Sequence, residues 1–572
     1  MALALTLAGA VFTAAVVAAM FVTYARHSKD LILDQGRLNA LKAQLTKAPT
    51  DEQLKQTIRL EDLRMREHFM RDAARLETGA YLLLAGAIVV ALSAKWRAWL
   101  RPRGPRPLRR EDLARRSDGR LELRRRLAGV GVAMAALGLV AAIAASRPFD
   151  PLPPPPTLVQ GPTATASAPA IAWKDNWPRF RGPGGVGIVP AGDWPTDWDG
   201  RSGKNILWKC PIPPEGKGSP VIWGDRVFLS HADMTRKQLG VTCVDRASGR
   251  VLWTKTFAPG WNQWTDAERE DFDIDESTGW AAATPATDGR VVVAAYATAD
   301  LLCLDMDGKL LWRRNLGAPK SMYGLASSLL IHKDSVIWQA DQGGEEEENL
   351  SAILAVDLKT GQDEWRTPRP APNSWSTPII AKVGKDLELV TVANPWVIAY
   401  DPDSGIEFWR AKGVTGDVAP SPAFAGDVVY VTNDQSRVAA IRAGGSGDVS
   451  ETNVVWTSDE GMSDIGSPVC DGQRFLQAKS TARTTCLSAA DGKLLWEHEF
   501  AEGFKASPTL VGNLVYLPDA EGRTHIFELA DSFAERAKCD LGERIDATPA
   551  FTDGRIYIRG HKNLYCIGKS AK

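Results

Sequence analysis

Residues 283–317 read ATPATDGRVVVAAYATADLLCLDMDGKLLWRRNLG, and this stretch is one copy of a pattern that recurs after residue 204. The copy opens with Thr284-Pro285, turns at Asp288-Gly289, runs through two apolar segments and closes on Trp312. Each copy has the length of four short strands. Repeats of about 20 to 50 residues are typical of solenoids and propellers.

Two landmarks show how often the pattern occurs. The closing tryptophan recurs at intervals of 40 to 59 residues, as Trp253, Trp312, Trp365, Trp409, Trp456 and Trp496. The opening Ser-Pro or Thr-Pro step recurs at Ser219, Thr284, Thr377, Ser421, Ser467, Ser507 and Thr548, and Ser327-Ser328 stands where one more is expected. We therefore predict an all-β propeller of eight four-stranded antiparallel blades over residues 204–569.

The two ends of the repeat region complement each other. The last opening, from Ala547, is followed by three strands and no tryptophan, whereas a spare strand with Trp208 precedes the first opening. We predict that the strand of Trp208 completes the last blade, because closing the ring removes exposed sheet edges. The seventh copy is degenerate, with Cys539 near the place where its tryptophan is expected.

Three apolar segments without charged residues precede the repeats, at 1–24, 78–94 and 127–146. Their lengths predict transmembrane helices. The alternative for the first segment is a cleaved signal peptide, which would have a basic start that this segment lacks. The loop 95–126 holds 13 Lys or Arg against 4 acids. The positive-inside rule places this loop in the cytoplasm, and lipid contact explains its charge better than nucleic-acid binding does.

This orientation predicts a multi-pass protein of the inner membrane whose propeller lies on the periplasmic side. Residues 25–77 predict a helical hairpin that either packs on itself or forms a coiled coil with a partner. The Pro-, Thr- and Ala-rich segment 147–172 is typical of a linker. Residues 173–203 lead into the propeller.

The lead-in and the repeats together resemble a known family. The motif WPRFRGPGGVG at 177–187, the ILW strand and the repeats resemble the PQQ-binding-like β-propeller proteins over residues 173–569. The resemblance implies that each closing tryptophan docks on the next blade near a glycine. It also implies one of two functions. One is a dehydrogenase with a quinone and Ca²⁺ at the axis and a disulfide between adjacent cysteines; the other is a cofactor-free scaffold like the outer-membrane assembly lipoprotein.

The cysteines depart from the dehydrogenase pattern, since none of the seven are adjacent. Four of them occupy one strand position of the repeat, where other copies have alanine, and this indicates small core side chains. They are Cys243, Cys303, Cys486 and Cys566. The sequence also lacks C-x-x-C-H, H-E-x-x-H and G-x-S-x-G. We therefore expect neither PQQ nor Ca²⁺ as a cofactor, and a non-catalytic role is favoured while an enzyme stays open.

Two insertions interrupt the repeat and are the candidate partner-binding sites, because loops on a rigid scaffold often carry function. Residues 258–282 combine three tryptophans with acidic residues, and their D-x-D-x-D run lacks the glycine and the final glutamate of a calcium loop. A second acidic turn follows Gly343-Gly344. The predicted partner-binding residues are Trp261, Trp264, Asp271, Asp273, Asp275, Glu276, Trp280, Glu345 and Glu346.

Polar residues that follow second strands, among them Asn433 and Asp434, are turn formers first. If a ligand sits on the axis, these turns and the Ser and Thr residues of the openings are available to it. The sequence as a whole favours a membrane-anchored scaffold that binds a protein partner. The alternatives are a quinone- or metal-dependent oxidoreductase, and a receptor for a small molecule or glycan in the central funnel.

Overall fold

The computed structural model describes residues 176–213, 216–434 and 436–569, except for the side chains of Gln263 and Asp271. The predicted membrane spans, helical hairpin, Arg-rich loop and linker lie outside these residues. Among the helices of the described part, none is long and apolar enough to span a membrane.

The repeats form eight separate sheets, each with four antiparallel strands, and this confirms the predicted eight-bladed propeller. Blades 1 to 4 follow one another along the chain. Their strands are Val221–Trp223, Arg226–Asp233, Gln238–Asp245 and Val251–Phe257; Ala286–Thr287, Val291–Ala295, Asp300–Asp305 and Leu310–Asn315; Leu330–His332, Ser335–Ala340, Ala352–Asp357 and Asp363–Pro368; and Ile379–Val383, Asp386–Val392, Trp396–Tyr400 and Glu407–Lys412.

Blades 5 to 8 complete the ring. Their strands are Ala423–Ala425, Val428–Thr432, Val438–Arg442 and Val454–Ser458; Val469–Cys470, Arg474–Ala478, Arg483–Ser488 and Leu494–Glu499; Thr509–Val511, Leu514–Pro518, Arg523–Glu528 and Glu535–Asp540; and Ala550–Thr552, Arg555–Arg559, Asn563–Ile567 and Ile206–Pro211. The last strand of blade 8 is the early strand of Trp208, which pairs with Asn563–Ile567. The predicted closure is confirmed.

Within the described residues, two further short strands and two short α-helices lie outside the repeat. Ile188–Val189 pairs in parallel with the inner strand of blade 7, and Gly447–Asp448 pairs in parallel with the outer strand of blade 4. The α-helices are α1, Asp266–Asp271, and α2, Ser450–Asn453. Single 3-10 turns occupy Trp261–Gln263 and Glu346–Glu348.

The register explains why the repeat alternates small and large residues. In seven blades, the cysteine or alanine of the third strand lies directly opposite the tryptophan of the outer strand, next to a β-bulge. A small side chain leaves room for the indole beside it, and the bulge twists the outer strand locally. All seven cysteines are buried and free, as expected for core positions.

The tryptophans reach the next blade in the way that the resemblance implied. Trp208 donates to the carbonyl of Arg246 at 3.0 Å, and its ring covers Gly249. Gly249 has a φ of +73°, and a Cβ there would meet the indole at 2.6 Å, so this site needs glycine. Trp253, Trp312 and Trp456 make the same kind of bond to a carbonyl of the following blade.

Two blades differ from the rule. Trp409 donates to the carboxylate of Glu388 in its own blade at 2.8 Å, because residues 447–448 of the next blade pair with its strand. In blade 7 the position equivalent to the tryptophan is Ala537, opposite Ile526, and not Cys539. The lead-in replaces the missing ring there: Trp198 is 2% exposed and stacks on Tyr516 at 6.5 Å.

Candidate functional site

The connections between blades and the connections between second and third strands all emerge on one face, because strands alternate in direction within each blade. We call this the loop face. The face carries both insertions, 258–282 after blade 1 and the turn 343–348 inside blade 3. It also holds the mouth of a cavity of about 790 Å³ on the propeller axis.

The inner wall of this cavity is a belt of hydroxyl groups from the eight openings. In seven consecutive links, the backbone N–H of one opening residue donates to the hydroxyl of the opening residue in the next blade, at 2.9 to 3.0 Å. We call this set the hydroxyl ring. Its members are Ser219, Thr284, Ser328, Thr377, Ser421, Ser467, Ser507 and Thr548. The ring gives the Ser-Pro and Thr-Pro steps a structural purpose that the repeat alone did not reveal.

The lead-in crosses the axis and closes the cavity below the hydroxyl ring. Arg181 is 1% exposed and donates to the carbonyls of Pro422, at 3.3 Å, and of Pro468. Burial first, and then the neighbouring Arg179, lower the pKa of Arg181 to about 9, so the guanidinium stays charged at neutral pH. Phe180 lines the cavity. Backbone carbonyl dipoles therefore stabilise the positive charge of Arg181, and no carboxylate of the described residues forms an ion pair with it.

Aromatic side chains form one sector of the cavity wall. Tyr323 precedes blade 3 and Trp375 precedes blade 4, and their rings meet edge to face at 5.0 Å. The indole of Trp375 donates to the carbonyl of Gly324 at 2.9 Å. Both rings are half-buried and line the cavity. They therefore offer an apolar surface whose position is already fixed.

Charged side chains form the other sectors. Lys217, Lys505 and Asp546 come from the loops before blades 1, 7 and 8, while Asp417 and Asp464 come from the loops before blades 5 and 6. Lys505 lies 3.6 Å from Asp546, whose side chain is 6% exposed. Burial is the largest effect on the pKa of Lys217, and it lowers this pKa. The positive charge of Lys505 also lowers it, whereas the negative charge of Asp546 opposes the shift. The two lysines therefore share one region of the wall.

The insertion 258–282 is anchored at the mouth of the cavity. Ser277 and Thr278 line the mouth, and the ammonium group of Lys217 donates to the carbonyls of Glu276, at 3.0 Å, and Ser277. At its other end the insertion is held by Asp300, which is fully buried and accepts from the N–H of Gly260 at 2.9 Å.

The tryptophans of this insertion pack inward. Trp264 is 4% exposed and Trp280 is 9% exposed, and both meet Trp261, which is half-buried, edge to face at 5.6 and 5.5 Å. Phe272 completes the cluster. The expectation that Trp264 and Trp280 present a contact surface therefore needs correcting, because their rings form the small core of the insertion.

The acidic residues of both insertions point outward. Asp273, Asp275 and Glu276 are exposed, and α1 begins with a capping box between Thr265 and Glu268. Asp271 ends α1. In the second insertion Glu345 is exposed and Glu346 half-buried, and the N–H of Gly343 donates to the carbonyl of Lys320 at 2.9 Å. The first acidic loop borders the cavity mouth, the second is bonded to the connections before blades 3 and 4, and partner binding through them stays a prediction.

Apart from the Ser and Thr residues of the openings, the wall residues that come from the blade connections were not predicted from the sequence. A signal was available: Lys217, Trp375, Lys505 and Asp546 each stand two residues before a Ser or Thr of an opening step. Asn433 and Asp434, considered as axial turn residues, do line the cavity. The amide oxygen of Asn433 is buried without a hydrogen-bond partner, although its nitrogen donates to Thr415 at 2.6 Å.

The lining does not fit a quinone of the PQQ type. Such a cofactor is a polycarboxylate, whereas four aspartates and two lysines line this cavity. The cysteines that could form a disulfide against it are separate core residues. Within the described residues, no three His, Cys, Asp or Glu side chains are placed to hold a metal ion.

A family model matches residues 237–454 and 445–532, and its description is outer membrane protein assembly factor BamB. The match spans more than half of the 572 residues, so the chain belongs to this family of PQQ-like β-propeller repeat proteins. A search of curated proteins found none that matches.

Similar solved structures include BamB from Moraxella catarrhalis, with 14% identity, coverage of 64% of this chain and 98% of that chain, and a TM-score of 0.45. Quinohemoprotein alcohol dehydrogenase from Comamonas testosteroni shares 14% identity over 70% of this chain and 82% of its own, with a TM-score of 0.48. Both likenesses concern the fold alone.

Proposed function

We propose that this protein is a non-catalytic scaffold that binds a protein partner on its loop face. The observation that carries the proposal is that both insertions of the repeat lie on the loop face and expose carboxylates there, the first of them at the cavity mouth. The description of the matched family, an assembly factor, supports a role in bringing proteins together.

The construction of the first insertion supports this function. Its aromatic cluster and the bond from Gly260 to Asp300 fix the exposed carboxylates to the rigid blades. A surface that is ordered before binding loses less conformational entropy when a partner arrives. Its negative charge favours a partner with a basic surface, since complementary charge increases the rate of encounter.

We also propose that three membrane spans tether the propeller on the periplasmic side of the inner membrane. The support is in the sequence: three uncharged apolar segments and 13 basic residues in the loop 95–126. This arrangement would present the loop face to partners outside the cytoplasm.

The test uses the full-length chain in native membranes, with a photo-crosslinking residue in place of Glu345. We expect one or more defined crosslinked proteins, which are lost when Asp273 and Glu276 are both changed to lysine. The matched control changes Asp386 and Asp427 to lysine, because both lie at connections between first and second strands, on the opposite face. Equal crosslinking by the acidic-loop variant and the wild type would contradict the proposal.

A further inference from the structure

The axial cavity has a charge distribution that the scaffold function does not use. In a ring of eight, blade 1 faces blade 5 and blade 7 faces blade 3. Lys217 therefore faces Asp417 across the axis, and Lys505 faces the aromatic sector of Tyr323. The cavity therefore has a side with two lysines at blades 7 to 1, an aromatic sector at blades 3 and 4, and an acidic side at blades 5 and 6.

The acidic side has unused capacity. Within the described residues, no Lys or Arg forms an ion pair with Asp417 or Asp464. Asp464 is held in place, because it accepts from the N–H of Ser480 at 2.9 Å and from the hydroxyl of the same residue. Asn433 also lines the cavity, and its amide oxygen is buried without a partner. The carboxylate oxygens of Asp417 and Asp464 are acceptors for a group with several N–H donors.

On the basic side, the two lysines repel each other. Lys217 and Lys505 carry two positive charges in the same region, with Asp546 as the one carboxylate of that wall. Burial and the neighbouring lysine lower the pKa of Lys217. An anionic group between the two lysines would relieve this repulsion.

The volume and the apolar sector limit the size and the shape of the ligand. A cavity of about 790 Å³ lies in the range of small-molecule sites, which is about 300 to 1,000 Å³. Trp375 is fixed by its bond to Gly324 and by packing on Tyr323, so it can hold an apolar or aromatic side chain. Hydroxyl groups of the ring surround this space and suit a polar backbone.

We propose that the axial cavity binds a short peptide with free ends. Its ammonium group lies against Asp417 and Asp464, its carboxylate lies between Lys217 and Lys505, and a side chain packs on Trp375. This site goes beyond the protein-binding face and does not depend on it. A simple anion would leave the acidic side unpaired, and a simple cation would approach the two lysines.

The chemistry of the probe separates the two ends of the site. We would titrate the full-length protein in detergent with alanyl-phenylalanine and follow binding by calorimetry and by tryptophan fluorescence. Acetylating the amino end of this dipeptide removes its positive charge, and amidating the carboxyl end removes its negative charge. We expect each modification to weaken binding about tenfold or more.

Two variants then assign each end to its wall. Asp417→Asn should weaken binding of the free dipeptide and leave binding of the acetylated dipeptide unchanged. Lys505→Gln should weaken binding of the free dipeptide and leave binding of the amidated dipeptide unchanged. Asp417 is exposed and pairs with no described cation, so its variant is expected to fold even where the lysine variant does not. A scaffold variant in the second insertion, Glu345→Lys/Glu346→Lys, should bind the dipeptide normally, because neither residue lines the cavity. This keeps a failure here distinct from a failure of the partner-binding proposal.

Three results would overturn the inference: no binding of the free dipeptide at millimolar concentration, equal binding of all three forms, or a response to Asp417→Asn that is the same for the free and acetylated forms. Stronger binding of a free diamine than of the dipeptide would also reject it, because the site would then recognise positive charge alone.

Discussion

At their outer edges, neighbouring blades are joined by indole rings that donate to carbonyls; at their inner edges, they are joined by hydroxyls that accept from N–H groups. The outer series shows this bond at five of its eight places. At the other three, Trp365 packs over Gly405, Trp409 bonds within its own blade and blade 7 has Ala537. The inner series shows seven uniform links of 2.9 to 3.0 Å.

The difference follows from the space available at each edge. At the rim, blades diverge, and a foreign segment such as the lead-in can fill a gap with another aromatic ring. Near the axis, blades converge, and a larger or smaller group would leave a buried N–H without an acceptor. The inner edge therefore tolerates less variation than the outer edge.

The largest effect is expected where the outer series depends on a substitute. Trp198→Ala should lower the free energy of unfolding by about 3–5 kcal/mol, since the ring is 2% exposed and is stacked on Tyr516. The measurement is a urea titration of the full-length protein. Trp194→Ala is the matched control, because Trp194 is only half-buried, and its cost should be clearly smaller. Equal costs would mean that Trp198 does not replace the ring missing from blade 7.

A somewhat smaller effect is expected at the ring closure. Trp208→Ala should lower the free energy of unfolding by about 3 kcal/mol, the low end for such a change, because its ring is partly buried. Trp208→Phe retains most of the packing and removes the bond to Arg246, so it should cost about 1 kcal/mol. Limited proteolysis should then cut the alanine variant first between the lead-in and blade 1. Uniform cleavage across the blades would contradict closure through this strand.

The exceptional tryptophan of blade 4 comes next. Trp409→Phe removes the donor that Glu388 accepts from at 2.8 Å, and burial already raises the pKa of this carboxyl. The variant should therefore raise that pKa further and cost about 1–3 kcal/mol at neutral pH. A raised carboxyl pKa means that protonation relieves the cost, so the deficit should shrink as the pH falls toward that pKa. A deficit that is constant between pH 7 and pH 5 would show that Glu388 is not its source.

Features that recur with the period of the repeat could be predicted from the sequence, whereas features that occur once could not. Eight blades, the closing strand of Trp208 and the small residues opposite the tryptophans all recur with the period, so they could be predicted. Trp198 could not be assigned, because the lead-in occurs once and has no repeat to compare. The dock of Trp409 depends on residues 447–448, whose pairing with another blade has no sequence signal.

The candidate site was harder to predict for the same reason. Its walls come from connections of unequal length, so residues such as Tyr323 and Lys217 have no common spacing in the sequence. They come together only when the blades close around the axis. The tryptophans of the first insertion looked like surface residues because the sequence shows composition and not direction. In the folded insertion, Trp264 and Trp280 both pack on Trp261 and on Phe272. The acidic residues around them are exposed. This part could be predicted from composition, because charged side chains are rarely buried without a partner.

The smallest effect concerns a single link of the hydroxyl ring, and it decides whether the uniformity of the inner series has an energetic meaning. Ser467→Ala leaves the N–H of Ser421 without its acceptor at 3.0 Å, which should cost about 1 kcal/mol, because water in the cavity can take over part of the bond. Hydrogen exchange of the Ser421 amide should quicken, whereas Ser277→Ala, at the cavity mouth but outside the ring, should leave it unchanged.

The double variant Ser467→Ala/Ser507→Ala makes this prediction sharper, since Ser467 also donates its N–H to Ser507 at 3.0 Å. If linked hydrogen bonds polarise one another, the two single costs and the double cost will not add. Additive costs would reduce the ring to a set of independent contacts, no different in kind from the docks at the rim. A coupling between them would instead explain why the inner edge is uniform while the outer edge is not: each link would depend on the presence of its neighbours.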